Sequence, residues 1–201
     1  TKVGIDKVDE DGKPLSGAVL QLLDAAGTEI DQWTTDGTTH RMDAILTAGA
    51  EYTLHEVSAP DGYCIAADQK FTVNADGSLT SVKLTNLSTK VQISKTTITG
   101  DTELEGAKLE VRDLSGNALD SWTSGKEAHM ITAKLTAGQT YVLHETAAPN
   151  GYVVSNDIEF TVNADGTVTK VIMKDDTTKV EISKKAENGL PLSGAKMQLL
   201  D

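Results

Sequence analysis

The chain has a single cysteine, Cys64, in 201 residues. One cysteine excludes a disulfide within the chain, and no zinc-ligand spacing accompanies it. Missing disulfides ordinarily point to a reducing compartment. They are equally expected of a protein held by a different covalent staple. Basic residues are also scarce: 18 stand against 30 acidic ones, for a net charge of −12. With no basic stripe to neutralise phosphates, nucleic acid and anionic membranes are excluded as partners. The acids are scattered, which gives a soluble, self-repelling surface. No apolar run is long enough to span a bilayer, and there is no signal peptide or sorting signal. The pattern begins and stops part-way, so such elements are expected outside this fragment.

Helical periodicity is missing as well. What the sequence has instead is alternation and a long repeat. Thr1-Lys2-Val3-Gly4-Ile5-Asp6-Lys7 returns as Thr89-Lys90-Val91-Gln92-Ile93-Ser94-Lys95, and again as Thr178-Lys179-Val180-Glu181-Ile182-Ser183-Lys184. After one insertion in an early loop, Trp33 matches Trp122, Glu56 matches Glu145, Pro60 matches Pro149 and Cys64 matches Val153. A period near 88 residues is too long for a solenoid, so each repeat is a domain with its own core. The expected division is 1–88, 89–177, and the opening strands of a third, truncated repeat over 178–201.

In the first unit seven strands are expected near 2–8, 17–24, 28–34, 39–46, 50–57, 69–74 and 79–86. Turn residues separate them, among them Asp11-Gly12-Lys13-Pro14, Ala48-Gly49 and Pro60-Asp61-Gly62. Short strands at this spacing indicate an all-β fold of tandem immunoglobulin-like or prealbumin-like sandwiches. Only about four residues join the units, which predicts domains set end to end with little freedom.

Strand parity singles out three polar positions. Side chains at i, i+2 and i+4 share a face. Val3 and Ile5 lead to Lys7, Tyr52 and Leu54 to Glu56, and Val82 and Leu84 to Asn86. The second copy repeats this with Lys95, Glu145 and Asp175. Such residues could end their strands in water, or form a buried Lys–Glu salt bridge with an amide hydrogen bond, or react. An isolated buried charge costs several kcal/mol, so paired or neutralised forms are required if they lie inside.

The segment Tyr52-Thr53-Leu54-His55-Glu56-Val57-Ser58-Ala59-Pro60-Asp61-Gly62-Tyr63, with its copy from Tyr141 to Tyr152, resembles the glutamate motif of Cna protein B-type (SpaA-type) domains. These are prealbumin-like modules of Gram-positive adhesins and pilins. The opening Val-x-Ile-x-Lys, the Leu15-Ser16-Gly17-Ala18 step and the closing Leu84-Thr85-Asn86 fit the same family in order. The resemblance implies an isopeptide bond in each complete domain, Lys7–Asn86 and Lys95–Asp175, with Glu56 and Glu145 as catalytic carboxyls. It implies a structural stalk or fibre repeat on the bacterial cell surface, extracellular and anchored to the cell wall through a region outside this fragment. Neighbouring repeats are then the expected partners, no cofactor is needed, and self-cross-linking is a single turnover rather than enzymatic activity. The alternative is an adhesin module that recognises a host protein or glycan.

Lesser candidates are also present. If strands four and five form a hairpin through Ala48-Gly49, His40 lies opposite Glu56, and His129 opposite Glu145, where each could hydrogen-bond the carboxyl. His55 and His144 should face outward, and no metal site is expected. Trp33 and Trp122 are read as packed strand residues rather than a sugar platform. Asp9-Glu10-Asp11-Gly12 lacks the spaced ligands of a calcium loop. Leu190-Pro191-Leu192-Ser193-Gly194 aligns with the loop at Lys13-Pro14-Leu15-Ser16-Gly17. Lys184 would be the unpaired cross-link lysine of the partial repeat. Two strands cannot bury a core alone, so the last segment is expected to be held by domain two, another copy, or the rest of a longer protein.

Overall fold

A computed structural model describes residues 1–200. The first repeat forms β1 (Lys2–Asp9), β2 (Ser16–Leu23), β3 (Glu29–Asp36), β4 (His40–Asp43), β5 (Glu51–Ser58), β6 (Gln69–Thr72) and β7 (Leu79–Asn86). The second forms β8 (Lys90–Thr97), β9 (Lys108–Arg112), β10 (Ala118–Thr123), β11 (His129–Thr132), β12 (Thr140–Ala147), β13 (Ile158–Thr161) and β14 (Val168–Asp175). Each repeat is a two-sheet sandwich. In the first, a sheet ordered β4-β1-β7 faces one ordered β3-β2-β5-β6; in the second, β11-β8-β14 faces β10-β9-β12-β13. The fold class expected from alternation is the one observed.

Alternation explains the cores. Every second side chain of β2, β5 and β7 is buried, which places Ala18, Leu20, Leu22, Tyr52, Leu54, Val82 and Leu84 between the sheets with Val3 and Ile5. The second repeat builds a separate cluster from Val91, Ile93, Leu109, Val111, Leu143 and Met173. In each domain the first and last strands are neighbours and run parallel: Lys2 pairs with Leu79 and Asp9 with Asn86, and β8 and β14 match this register. The first and last strands of a domain therefore lie side by side in one sheet, with the domain's two chain ends at opposite ends of the pair.

One expected pairing does not form. β4 and β5 are not a hairpin, because β4 pairs antiparallel with β1 in the opposite sheet and places His40 beside Ile5. Ala44 turns the chain out of β4 at a φ of 59°, and buried Leu46 carries it across the core before β5 begins. β4 is accordingly four residues long. Alternating residues look the same whichever sheet their strand joins.

The junction between domains is packed. Thr89 is buried, its amide donates to Gly62 O at 2.8 Å, and its hydroxyl reaches Leu135 O of the second domain at 2.7 Å. Glu10 accepts hydrogen bonds from the amide and hydroxyl of Ser88, and its carboxylate lies 3.4 Å from Lys90 Nζ. Gly62 has a φ of 83°, and a Cβ there would come within 2.4 Å of Ala133 O. Gly62→Val therefore meets both a strained backbone, at a cost of about 1–3 kcal/mol, and a backbone clash. The expected result is two folded domains with a loosened junction, seen as a wider distance distribution in small-angle scattering and faster proteolysis between Asn86 and Lys90. An unchanged profile would show that the junction does not depend on this contact.

Residues 178–200 contain no strand. Thr178 N donates to Gly151 O at 2.8 Å, and Lys185 and Pro191 form an isolated bridge. The loop geometry copies the first domain: Leu192 N donates to Lys184 O as Leu15 N does to Lys7 O. Its apolar residues are not covered, with Val180 79% and Leu199 84% exposed. Of the three expected ways of holding this segment, cover of its apolar residues by domain two is therefore not found. A first strand needs the middle and last strands of its own domain to cover it, and those strands of domain two are already paired.

Candidate functional site

Parity turns Lys7, Glu56 and Asn86 inward at the ends of β1, β5 and β7, and the sandwich brings them together. Their exposures are 4%, 1% and 0%; Lys95, Glu145 and Asp175 are each 1% exposed. These six residues are among the few buried charged or amide side chains of the molecule, and they form one cluster per domain.

In the first domain Lys7 Nζ lies directly against Asn86 Oδ1. Asn86 Nδ2 donates to Glu56 Oε1 at 2.9 Å, and Lys7 Nζ is 3.7 Å from the same oxygen. Glu56 Oε2 accepts from Ala66 N at 2.6 Å. Burial lowers the Lys7 pKa by penalising the ammonium, and the charge of Glu56 opposes the shift. The direction favours a neutral amine, which is the nucleophilic form, held beside a polarised acyl group.

The second domain preserves the geometry with different chemistry. Lys95 Nζ lies against Asp175 Oδ1 and is 3.1 Å from Glu145 Oε1, while Ser155 N donates to Glu145 Oε2 at 2.7 Å. Asp175 Oδ1 occupies the place of Asn86 Oδ1, so Oδ2 replaces the donor Nδ2. Glu145 Oε1 and Asp175 Oδ2 are the two buried side-chain atoms without a hydrogen-bond partner among the described residues. Burial raises the Glu145 pKa, and the neighbouring Asp175 charge pushes the same way, against the Ser155 amide and Lys95. Both effects favour a protonated carboxyl.

Other sequence candidates lie elsewhere. His40 is not a neighbour of Glu56. Its Nε2 is 3.0 Å from Asp31 Oδ2 and its ring stacks on Trp33 at 4.0 Å, joining the edge strands of the two sheets. His129 does the same with Asp120 and Trp122. The expected place of both histidines beside the glutamates is thus corrected, because β4 pairs with β1 and β11 with β8. His55 and His144 pair with Asp68 and Asp157 on the outer face. The two tryptophans are half-buried against the cores. Cys64 is buried at the domain junction, with Sγ 3.9 Å from Asn163 O, and burial raises its pKa. Asp9 caps its own turn by accepting from Asp11 N and Lys13 N. Lys184 is exposed. No cluster of metal-ligating side chains occurs among the described residues.

Sequence reasoning misses Ala66 and Ser155, whose amides hold the two glutamates. They lie in loops, where strand parity has no meaning. The only available signal is their alignment 89 positions apart.

Comparison with solved structures finds similar chains. The Bacillus anthracis TIE protein is 24% identical over 88% of this chain and 34% of its own, with a TM-score of 0.49. The shaft pilin SpaA of Lactobacillus rhamnosus GG is 17% identical over 90% and 99%, with a TM-score of 0.40. A streptococcal ancillary pilin is 26% identical over 89% and 62%, with a TM-score of 0.37. The chain thus spans about a third of the first of these proteins and under two thirds of the last. No curated protein matches the chain. The family model described as SpaA, prealbumin-like fold domain, matches residues 1–88 and again residues 89–177, so the chain belongs to the SpaA family of prealbumin-like fold domains, in two consecutive copies.

Proposed function

We propose that this chain is a structural stalk or fibre repeat of an extracellular bacterial surface protein, and that each complete domain closes itself with an intramolecular isopeptide bond. The bonds are Lys7–Asn86 and Lys95–Asp175. The supporting observation is the same in both copies: a buried lysine amine against the acyl group of the last strand, with a buried glutamate in reach of both. Neighbouring repeats are the natural partners, since the junction already buries Ser88 and Thr89.

The reaction balances without any added reagent. Glu56 takes a proton from Lys7, and the neutral Nζ attacks Cγ of Asn86 to form the C–N bond. Glu56 passes this proton to Nδ2 and accepts the second one from the attacking nitrogen, the bond from Cγ to Nδ2 breaks, and ammonia leaves carrying that second proton as ammonium, which restores the Glu56 carboxylate. In the second domain the ammonium of Lys95 gives up two protons in all, and both end on the departing oxygen of Asp175 as water. Glu145 carries them between the two groups. Fixed geometry within a folded core supplies most of the rate, as in other oriented intramolecular reactions. The lowered Lys7 pKa makes the free amine available at less alkaline pH, and the raised Glu145 pKa keeps its proton as pH increases. Each domain reacts once, and no external substrate is turned over.

Intact-mass spectrometry of the denatured chain tests the reading. The expected mass is that of the unmodified chain less one ammonia and one water. Retention of the full mass in denaturant would refute it.

A further inference from the structure

The two clusters differ in one loop residue, and the difference touches the reacting carboxyl. Ser155 Oγ is 2.7 Å from Asp175 Oδ1 and 2.5 Å from Lys174 O. Ala66 fills the equivalent position in the first domain, with the same amide-to-glutamate bond but no hydroxyl. Ser155 has one hydroxyl hydrogen, so it cannot donate to both oxygens.

Asp175 Oδ1 is also the oxygen that stays. It matches Asn86 Oδ1, whereas Oδ2 matches the leaving Nδ2 and takes the proton from Glu145. When Lys95 Nζ adds to Cγ, negative charge grows on Oδ1 at the position the Ser155 hydroxyl already faces. We infer that Ser155 is a further catalytic residue of the second domain, a single-donor oxyanion site that the first domain lacks. This rests on the cross-linking reaction proposed above.

The hydroxyl helps selectively. Before attack, Lys174 O is the shorter of its two contacts and a neutral carboxyl oxygen is a weak acceptor. As Oδ1 becomes anionic, the hydrogen turns to it and forms a charge-assisted bond. An interaction stronger in the transition state than in the ground state lowers the barrier rather than merely binding. Ser155 is half-buried, so the reorientation needs no movement of the packed core. An acid in place of an amide sets the two domains apart, and the donor belongs to the one that reacts through a carboxyl.

The test uses the full chain made by pulsed cell-free synthesis, quenched in denaturant at intervals and followed by intact mass. The first domain's ammonia loss is an internal clock in every sample. Ser155→Ala reproduces the residue found at Ala66, so the fold tolerates it and the Glu145 amide contact remains. The expected result is water loss slowed by about 100-fold, the scale of removing one oxyanion donor, with ammonia loss unchanged. Ser155→Thr, which restores a hydroxyl, should recover most of the rate. Equal rates of water loss in Ser155→Ala and the unaltered chain would overturn the role of Ser155 and leave the cross-link standing. An unaltered chain that never loses water would overturn the cross-link itself in this domain.

Discussion

Glu56→Ala is expected to leave the first domain without its cross-link while the second still loses water. Among the described residues Glu56 is the only carboxyl at the Lys7–Asn86 contact, bonded to Asn86 Nδ2 at 2.9 Å. Without it nothing accepts the Lys7 proton or delivers one to the departing nitrogen. Stability falls for two separable reasons. The bond would close a loop of 79 residues, and opening a loop of that size costs about 4.5 kcal/mol in the chain-entropy treatment used for disulfides. Lys7 would also remain buried without its carboxylate, a loss of about 3–5 kcal/mol when one partner of a buried pair is removed. Together these rival the whole stability of a small domain, about 5–15 kcal/mol. Calorimetry should show the first domain's transition lowered by tens of degrees, on the scale of about 4–8 °C per kcal/mol, with the second unmoved. Glu56→Gln separates the two causes from the chemistry, because it retains shape and hydrogen bonding but cannot relay a proton as a carboxylate does. A cross-linked mass in either variant would remove Glu56 from the mechanism.

The inward position of Lys7, Glu56 and Asn86 is legible in the sequence because a strand has a period of two, and an apolar stripe such as Val3-Ile5 points to whatever follows it. The repeat strengthens that inference by showing the same three positions twice, with Asp175 replacing Asn86. Pairing is less legible. His40 belongs to a four-residue strand whose alternation is equally compatible with β5 and β1, and the choice is made by Ala44 and Leu46, which carry the chain over the core. The amides of Ala66 and Ser155 are invisible to patterning for a different reason: a loop has no face. Their contacts depend on where β5 ends relative to β6, and only folded coordinates supply that. The uncovered apolar residues of 178–200 follow from the pairing rule as well. Val180 and Ile182 repeat Val3 and Ile5 in sequence, but in the first domain β4 and β7 hold β1 in its sheet and the facing β2 and β5 cover its apolar side chains.

Pulling the chain by its ends should give no unfolding step from either complete domain. Lys7 and Asn86 lie at the C-terminal ends of two adjacent parallel strands, where Lys7 pairs with Leu84 and Asn86 with Asp9. Tension entering at Thr1 runs along β1 to Lys7, crosses the proposed bond to Asn86, and passes through Leu87 into β8. Residues 8–85 carry none of it. The second domain routes tension in the same way from Lys95 to Asp175. Hydrogen bonds between β1 and β7 would otherwise be sheared together until the strands separate. With both bonds absent, as in Glu56→Ala/Glu145→Ala, each domain should release 79 or 80 residues, about 260–290 Å at full extension. Single-molecule force spectroscopy distinguishes the cases directly: the unaltered chain stretches as a short tether, and the double variant adds two long steps. Single variants should add one step each. Full-length steps from the unaltered chain would mean that no covalent bridge carries the load. The fold alone would then be a poor rod, because a sandwich whose first and last strands are neighbours transmits all tension through that one pair. Under the proposed reading, joining that pair covalently is what would let a small core, with one buried cluster and no disulfide, bear load along a fibre.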